Sequence, residues 1–266
     1  MSLALIGGTG LSPLESVAWS TRLVQTRWGE VKLLEGEWQG RELVFLPRHA
    51  LGHRLPPHRI NYRANIAALA MVGVESILAT SAVGTLCPEL PPGRLALLTD
   101  FIDLTQGRPA TYFDDFVVHL DSTEPFCAGM RELLSSSATT LSLALRARGV
   151  YACTNGPRFE TPAEIHALET MGAEVVGMTA VPEVVLAREA EMCYASLAIA
   201  TNWAAGMADQ RLTQDEVTEM MAIRHAEIEQ LIGEFVANWH AIDCPCHNAL
   251  SAHPQAAELR AWIRGD

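Results

Sequence analysis

From residue 149 to residue 201 the chain alternates short apolar runs with longer amphipathic stretches. The spacing predicts strands over 149–154, 173–178 and 193–201, separated by helices over 161–171 and 182–191. Strands joined through helices lie parallel, and a parallel sheet has to be covered on both faces. The preceding sequence fits the same plan. Residues 3–7 read as a strand ending in a glycine turn, and 29–46 as a hairpin turning near Gln39-Gly40. A helix is predicted over 60–72, strands over 76–80 and 94–103, and a long helix over 124–148. A further helix over 213–238 opens on Thr213 and Glu216 in a capping-box pattern. The predicted fold is α/β: one domain over 1–243 with a mixed, mostly parallel central sheet flanked by helices. A weakly structured tail is expected over 244–266.

Composition removes several function classes. A net charge of −12 argues against nucleic acid as a partner, because a binder has to neutralise phosphates. No apolar run reaches the roughly 18–20 residues of a membrane span, and the N-terminus carries no signal-peptide pattern, so a cytoplasmic protein without a membrane partner is expected. Lys32 is the single lysine, which argues against Schiff-base chemistry and against a lysine-bearing phosphate loop. Neither a Gly-x-Ser-x-Gly elbow nor a His-Glu-x-x-His helix is present.

The unusual residues fall just after predicted strands, where α/β folds hold ligands. Gly7-Gly8-Thr9-Gly10 follows the first strand, Arg48-His49 the hairpin, and Ser81-Ala82 the strand ending at Thr80. Asn155-Gly156-Pro157-Arg158-Phe159-Glu160-Thr161, Met178-Thr179 and Asn202 follow later strands. Each has a plain structural alternative. The glycines make a tight turn by themselves, Arg48-His49 suits a surface arginine with a hydrogen-bonded histidine, and Thr161 and Thr179 suit caps of helices that begin at prolines.

Taken together these motifs resemble the trimeric purine nucleoside phosphorylase and methylthioadenosine phosphorylase family, over roughly residues 3–240. Gly156-Pro157-Arg158-Phe159-Glu160-Thr161 and Gly177-Met178-Thr179 with Val181-Pro182-Glu183 are its most specific marks. The resemblance implies phosphate binding by Thr9, Arg48, His49, Ser81, Thr179 and the backbone N–H of Ala82. It implies ribose near Met178, Phe159 against the base, and Asn202 and Glu160 at the purine edge, with Asn202, Glu160 and His49 as catalytic groups. His119 would reach a neighbouring subunit's site in a homotrimer or a dimer of trimers. Inorganic phosphate would be a co-substrate, with no other cofactor and no metal.

Base choice rests on Asn202, Ala204 and Glu160. Methylthioadenosine enzymes resemble one another in carrying Asp at the first two positions and a small polar residue at the third. An Asn amide can donate to the O6 of a 6-oxopurine and a Glu can accept from N1–H. The implied reaction is phosphorolysis of a 6-oxopurine nucleoside, foremost S-methyl-5′-thioinosine, giving hypoxanthine and 5-methylthioribose 1-phosphate. The alternatives are inosine or guanosine phosphorolysis, methylthioadenosine phosphorolysis, a nucleoside hydrolase and a non-catalytic nucleoside sensor. The 5′ side is expected within Leu212 to Val217, where Val217 suits a methylthio group and Gln214 departs from the usual apolar residue. Of the six cysteines, Cys87, Cys127, Cys153 and Cys193 read as core residues. Cys244-Pro245-Cys246-His247, with His240 and His253 nearby, could bind zinc, but its spacing is not a standard Cys-x-x-Cys pair and it reads rather as incidental thiols on a mobile tail.

Overall fold

Strand β1 (Ser2–Gly7) shows how the predicted alternation becomes layers. Leu3 and Leu5 enter one core, Ala4 and Ile6 the other. A strand with helices on both faces has no polar side, so its sequence is an unbroken apolar run. The computed structural model describes residues 2–9, 11–208 and 213–265. After β1 come β2 (Ser20–Thr26), β3 (Gly29–Trp38), β4 (Arg41–Pro47), α1 (Tyr62–Met71) and β5 (Val74–Thr85). Next are β6 (Leu95–Leu97), β7 (Asp100–Asp103), α2 (Ala128–Thr140), β8 (Leu145–Arg146) and β9 (Val150–Cys153). The chain closes with α3 (Pro162–Thr170), β10 (Val175–Gly177), α4 (Ala180–Glu189), β11 (Cys193–Trp203), α5 (Gln214–Asn238) and α6 (Ala256–Arg264).

Among the described residues all eleven strands belong to one sheet, and six of its ten pairings are parallel, which makes it mixed and mostly parallel as expected. Helices α1, α4 and α6 supply one core; α2 and α5 supply the other. The sheet forks at β5. On one side β5 pairs with β11 along most of its length. On its other side β1 accompanies it only as far as Ala79, and β10 pairs antiparallel with Gly84 and Thr85. Between those two partners, residues 80–83 face no described strand on that side. Unpaired strand edge is costly to bury, so this gap suits a polar ligand.

Several boundaries differ from the sequence reading. The hairpin turns at Gln39 and Gly40, both at positive φ, as expected, but β2 also pairs with β3 along an exposed edge. Being mostly exposed, β2 carries no apolar signature. The strand predicted over 94–103 is two strands on opposite arms of the fork, β6 on β11 and β7 on β9. The helix predicted over 124–148 stops at Thr140. The hydroxyls of Ser137, Thr139 and Thr140 bond back to carbonyls one turn earlier, a competition that weakens helices.

The C-terminal segment is not the weakly structured tail that was expected. Leu250, Leu259 and Ile263 are buried in the core that includes α1, and Arg260 forms a bidentate pair with Glu191 at 2.5 and 3.0 Å. A nine-residue helix has little stability alone, so docking rather than propensity forms it. Its thiols are not incidental either: Cys244 and Cys246 lie beside the buried Cys127 and Cys193. Among the described residues no helix is long and apolar enough to cross a membrane.

Candidate active site

The fork opens into a cleft of about 780 Å³. Thr9, Arg48, His49, Ser81, Ala82, Phe159, Glu160, Met178, Thr179, Asn202, Ala204, Gln214 and Val217 all line it. Strand ends scattered from residue 9 to residue 202 are thus brought to one place, as the sequence reading required. His119 is not among them; it is exposed on the segment between β7 and α2. Gly10 and Leu212 lie outside the described residues.

Arg48, expected among the phosphate ligands, is not a free cation. It is 1% exposed, and its Nε and Nη2 donate to both Glu183 oxygens at 2.8 and 2.7 Å. Its Nη1 donates to the Thr80 carbonyl at 2.9 Å, and Tyr194 adds a hydroxyl donor to Glu183 at 2.7 Å. Burial pulls the guanidinium pKa down, but the Glu183 charge and hydrogen bonds outweigh it and hold the pKa above the usual arginine range. The charge is therefore already compensated, and what Arg48 presents to the cleft is oriented N–H groups. Gly8 belongs to this arrangement, since a Cβ there would lie 2.6 Å from Arg48 Nη1.

His49 is buried beside it, with Nδ1 2.7 Å from the Leu55 carbonyl and its ring stacked on His53. Burial, then Arg48 and His53, lower its pKa to about 4 against the opposing Leu55 hydrogen bond. The ring is neutral near pH 7, and a carbonyl partner puts its proton on Nδ1. Nε2 is then an acceptor, suited to a phosphate O–H rather than to a phosphate O⁻.

Thr179 resolves the cap-or-ligand alternative. It occupies the N-cap position of α4 but makes no side-chain cap hydrogen bond, so its hydroxyl is left to the cleft. Its backbone N–H donates to Tyr151 Oη at 3.1 Å, and Ala180 N–H points to the same oxygen. The helix-end amides serve Tyr151, so what this helix start offers to an anion is the Thr179 hydroxyl. Thr161 by contrast is a complete capping box with Glu164, which leaves Phe159 and Glu160 to the cleft.

At the other end, Glu160 Oε1 accepts from the Thr154 hydroxyl at 2.6 Å. Asn202 is presented by a register shift in β11 between Ala200 and Asn202, the kind of bulge that re-aims a side chain. Its Oδ1 accepts from the Thr201 hydroxyl and its Nδ2 donates to the Trp203 carbonyl, both at 2.8 Å. These contacts orient the amide and leave its second N–H available. Gly156, at φ 61°, makes room for Met178, whose sulfur would lie 2.4 Å from a Cβ there.

Two groups of site residues escaped the sequence reading. His53, Arg54, Leu55, Pro56 and Pro57 line the cleft directly after Arg48-His49, and Thr9 Oγ1 lies 3.1 Å from His53 Nε2. Their signal was a run of basic residues and prolines immediately beyond the motif. Arg108 had no local signal. It donates to the carbonyls of Met178, Val181, Thr154 and Asn155 and so ties together the two loops that carry Glu160 and Thr179.

A polar anion end and an amide-and-carboxylate end across one cleft define a site for an anion and a heterocycle. Comparison with known proteins agrees. Residues 2–237 match the model of the Phosphorylase superfamily, and the chain belongs to that family, in its nucleoside phosphorylase branch. It is 48% identical over 238 residues to the 6-oxopurine nucleoside phosphorylase of Pyrococcus furiosus, covering 86% of this chain and 90% of that one. It is 43% identical over 252 residues to a probable S-methyl-5′-thioinosine phosphorylase of Methanothermobacter thermautotrophicus, covering 93% and 88%. Among solved structures, a methylthioadenosine phosphorylase from an antarctic soil metagenomic library superposes with a TM-score of 0.90 at 32% identity, covering 99% and 98%.

Proposed function

We propose that the protein cleaves the N-glycosidic bond of a 6-oxopurine nucleoside with inorganic phosphate, with S-methyl-5′-thioinosine as the preferred substrate. The observation that carries the 6-oxo preference is the pair Asn202 and Ala204 in the cleft, where an Asp at either position is absent. An oriented amide N–H suits O6 and N7, and Glu160 suits N1–H. A site built for this pattern leaves buried groups unpaired with adenine, which discriminates strongly.

Phosphate would lie against the open edge of β5, held by Thr9, Ser81, Ala82 N–H, Thr179 and the remaining N–H groups of Arg48, with Nε2 of His49 accepting a phosphate O–H. It attacks C1′ as the glycosidic bond loosens, and Asn202 stabilises the charge that arrives on the purine. Positioning and preorganised dipoles supply most of the acceleration, and the reaction needs no cofactor beyond phosphate. The 5′ preference is supported by Leu55, Pro56, Pro57 and Val217 in the lining, although Gln214 and Thr218 add polar groups that would tolerate a hydroxyl. A homotrimer with His119 reaching the neighbouring site is the assembly that the family resemblance supports, and the exposure of His119 is compatible with it.

The test is base release with and without phosphate across methylthioinosine, inosine, guanosine, methylthioadenosine and adenosine. The expected result is phosphate-dependent turnover with the highest kcat/KM on methylthioinosine. Undiminished release in phosphate-free buffer would identify a hydrolase, and a higher kcat/KM for the 6-amino substrates would remove the base assignment.

A further inference from the structure

Four cysteines from distant parts of the chain meet at the start of β11, the opposite end of that strand from Asn202 and the cleft. Cys127 precedes α2, Cys193 opens β11, and Cys244 and Cys246 follow α5. Their sulfur atoms all lie within 4.8 Å of one another. Cys244 Sγ is 3.8 Å from Cys127 Sγ and 3.2 Å from Cys193 Sγ. All four are free thiols. A tetrahedral zinc with Zn–S bonds of about 2.3 Å sets its sulfurs about 3.8 Å apart; the Cys127–Cys244 pair stands at that distance, the Cys193–Cys244 pair is closer, and all four lie within 4.8 Å. The Cys-x-Cys spacing is shorter than in common zinc motifs, but the 3₁₀ turn over Pro245–Asn248 brings Cys246 back to the group, where it is buried.

The surroundings suit thiolates. Arg188 Nη1 lies 3.3 Å from Cys246 Sγ, so a permanent cation donates to sulfur. Nε2 of His247 lies 3.4 Å from Cys193 Sγ while its Nδ1 is held 3.1 Å from the Glu191 carbonyl. Arg188 offsets part of the negative charge of a four-thiolate site, while His247, whose Nδ1 proton faces the Glu191 carbonyl, would donate through Nε2 to Cys193 Sγ only as the imidazolium. Cys127 stands at the N-cap of α2, where the helix dipole favours an anion.

We propose that Cys127, Cys193, Cys244 and Cys246 bind one structural zinc ion. Four protein sulfurs complete a tetrahedron and leave no open position for substrate, so the ion acts as a staple rather than a catalyst. It joins residues 117 apart in sequence and anchors the segment that carries α6 onto α1. Zinc content is read as metal rather than as turnover, so the site is tested apart from the substrate.

The test uses full-length protein without a metal-binding tag, produced in zinc-supplemented medium. Elemental analysis is expected to give one zinc per chain, and a mercurial thiol reagent to release it stoichiometrically into a chromogenic chelator. Cobalt substitution should give the thiolate charge-transfer absorption of a tetrahedral sulfur site. Cys244→Ser with Cys246→Ser should lose the metal and the hydrogen-exchange protection of 256–264. The mercurial titration of unsubstituted protein decides the question even if that variant fails to fold. Metal-free protein with four titratable thiols, or with these cysteines paired as disulfides, would overturn the proposal. Stoichiometric iron would overturn the choice of zinc.

Discussion

Arg48 and Arg54 line the same cleft and are close in sequence, yet they stand in opposite physical situations. Arg48 is buried and bound to both oxygens of Glu183. Arg54 is exposed and forms no ion pair among the described residues. From the sequence, Arg48 is the full positive charge of the phosphate cluster. In the structure its charge is spent on Glu183, and Arg54 is the cation left for an incoming anion. A buried arginine in such a site organises N–H groups and shape, whereas an exposed one draws the ligand in and is screened by salt.

The largest effect is expected at Arg48. Arg48→Ala strands a buried Glu183 and should cost about 3–5 kcal/mol of folding stability, read as a large fall in Tm. Arg48→Met with Glu183→Gln removes both charges and should recover part of that stability without restoring phosphate affinity. A single Arg48→Ala variant with unchanged Tm and only a raised phosphate KM would show that the ion pair is not holding the site.

The base end sets the next largest effect. Asn202→Asp with Ala204→Asp should move the inosine-to-adenosine ratio of kcat/KM toward adenosine by about one to two decades, from hydrogen bonds worth about 1–3 kcal/mol. Glu160 remains and keeps the switch incomplete. Ala204 also packs in the apolar cluster with Leu86, Ile165 and Val176, so the double variant should be less stable than Asn202→Asp alone. An unchanged ratio in folded protein would mean these positions do not read the base.

Arg54→Ala sharpens the contrast from the exposed side. It should leave Tm unchanged and raise phosphate KM by about tenfold at low salt, with the difference shrinking as ionic strength rises. A loss of stability comparable to that of Arg48→Ala would erase the distinction between the two arginines.

The smallest effect concerns protons. With the His49 pKa lowered from 6.5 to about 4, the folded state favours the neutral ring. Its contribution to stability is intact above about 6.5 and is lost as pH falls toward 4. An NMR titration of its ring proton should be flat from pH 6 to 8; a midpoint near 6.5 would mean that the site is wetter and less enclosed than its geometry indicates.

Much of the site was legible in the sequence because its chemistry sits at strand ends. Thr9, Arg48, Glu160, Thr179 and Asn202 stand at or beyond strand ends, which the topology of an α/β sheet brings to one edge, whereas Ser81 lies inside β5, which runs on to Thr85 past its expected end at Thr80. The predicted alternation over 149–201 likewise became β9, α3, β10, α4 and β11, because strands buried on both faces and helices with one apolar stripe leave strong local patterns. The residues that escaped act through distance. Glu183 meets Arg48 across 135 positions and Arg108 holds carbonyls more than 40 positions away, so no local window contains either relationship. The C-terminal segment belongs with them. Its nine-residue helix and its Cys-x-Cys are weak signals alone, and they acquire meaning only where α1, Glu191, Cys127 and Cys193 are brought to meet them. Periodicity and residue chemistry are local properties and survive in the sequence, whereas charge pairing, docking of a short helix and convergence of ligands depend on which distant surfaces the fold has already brought together.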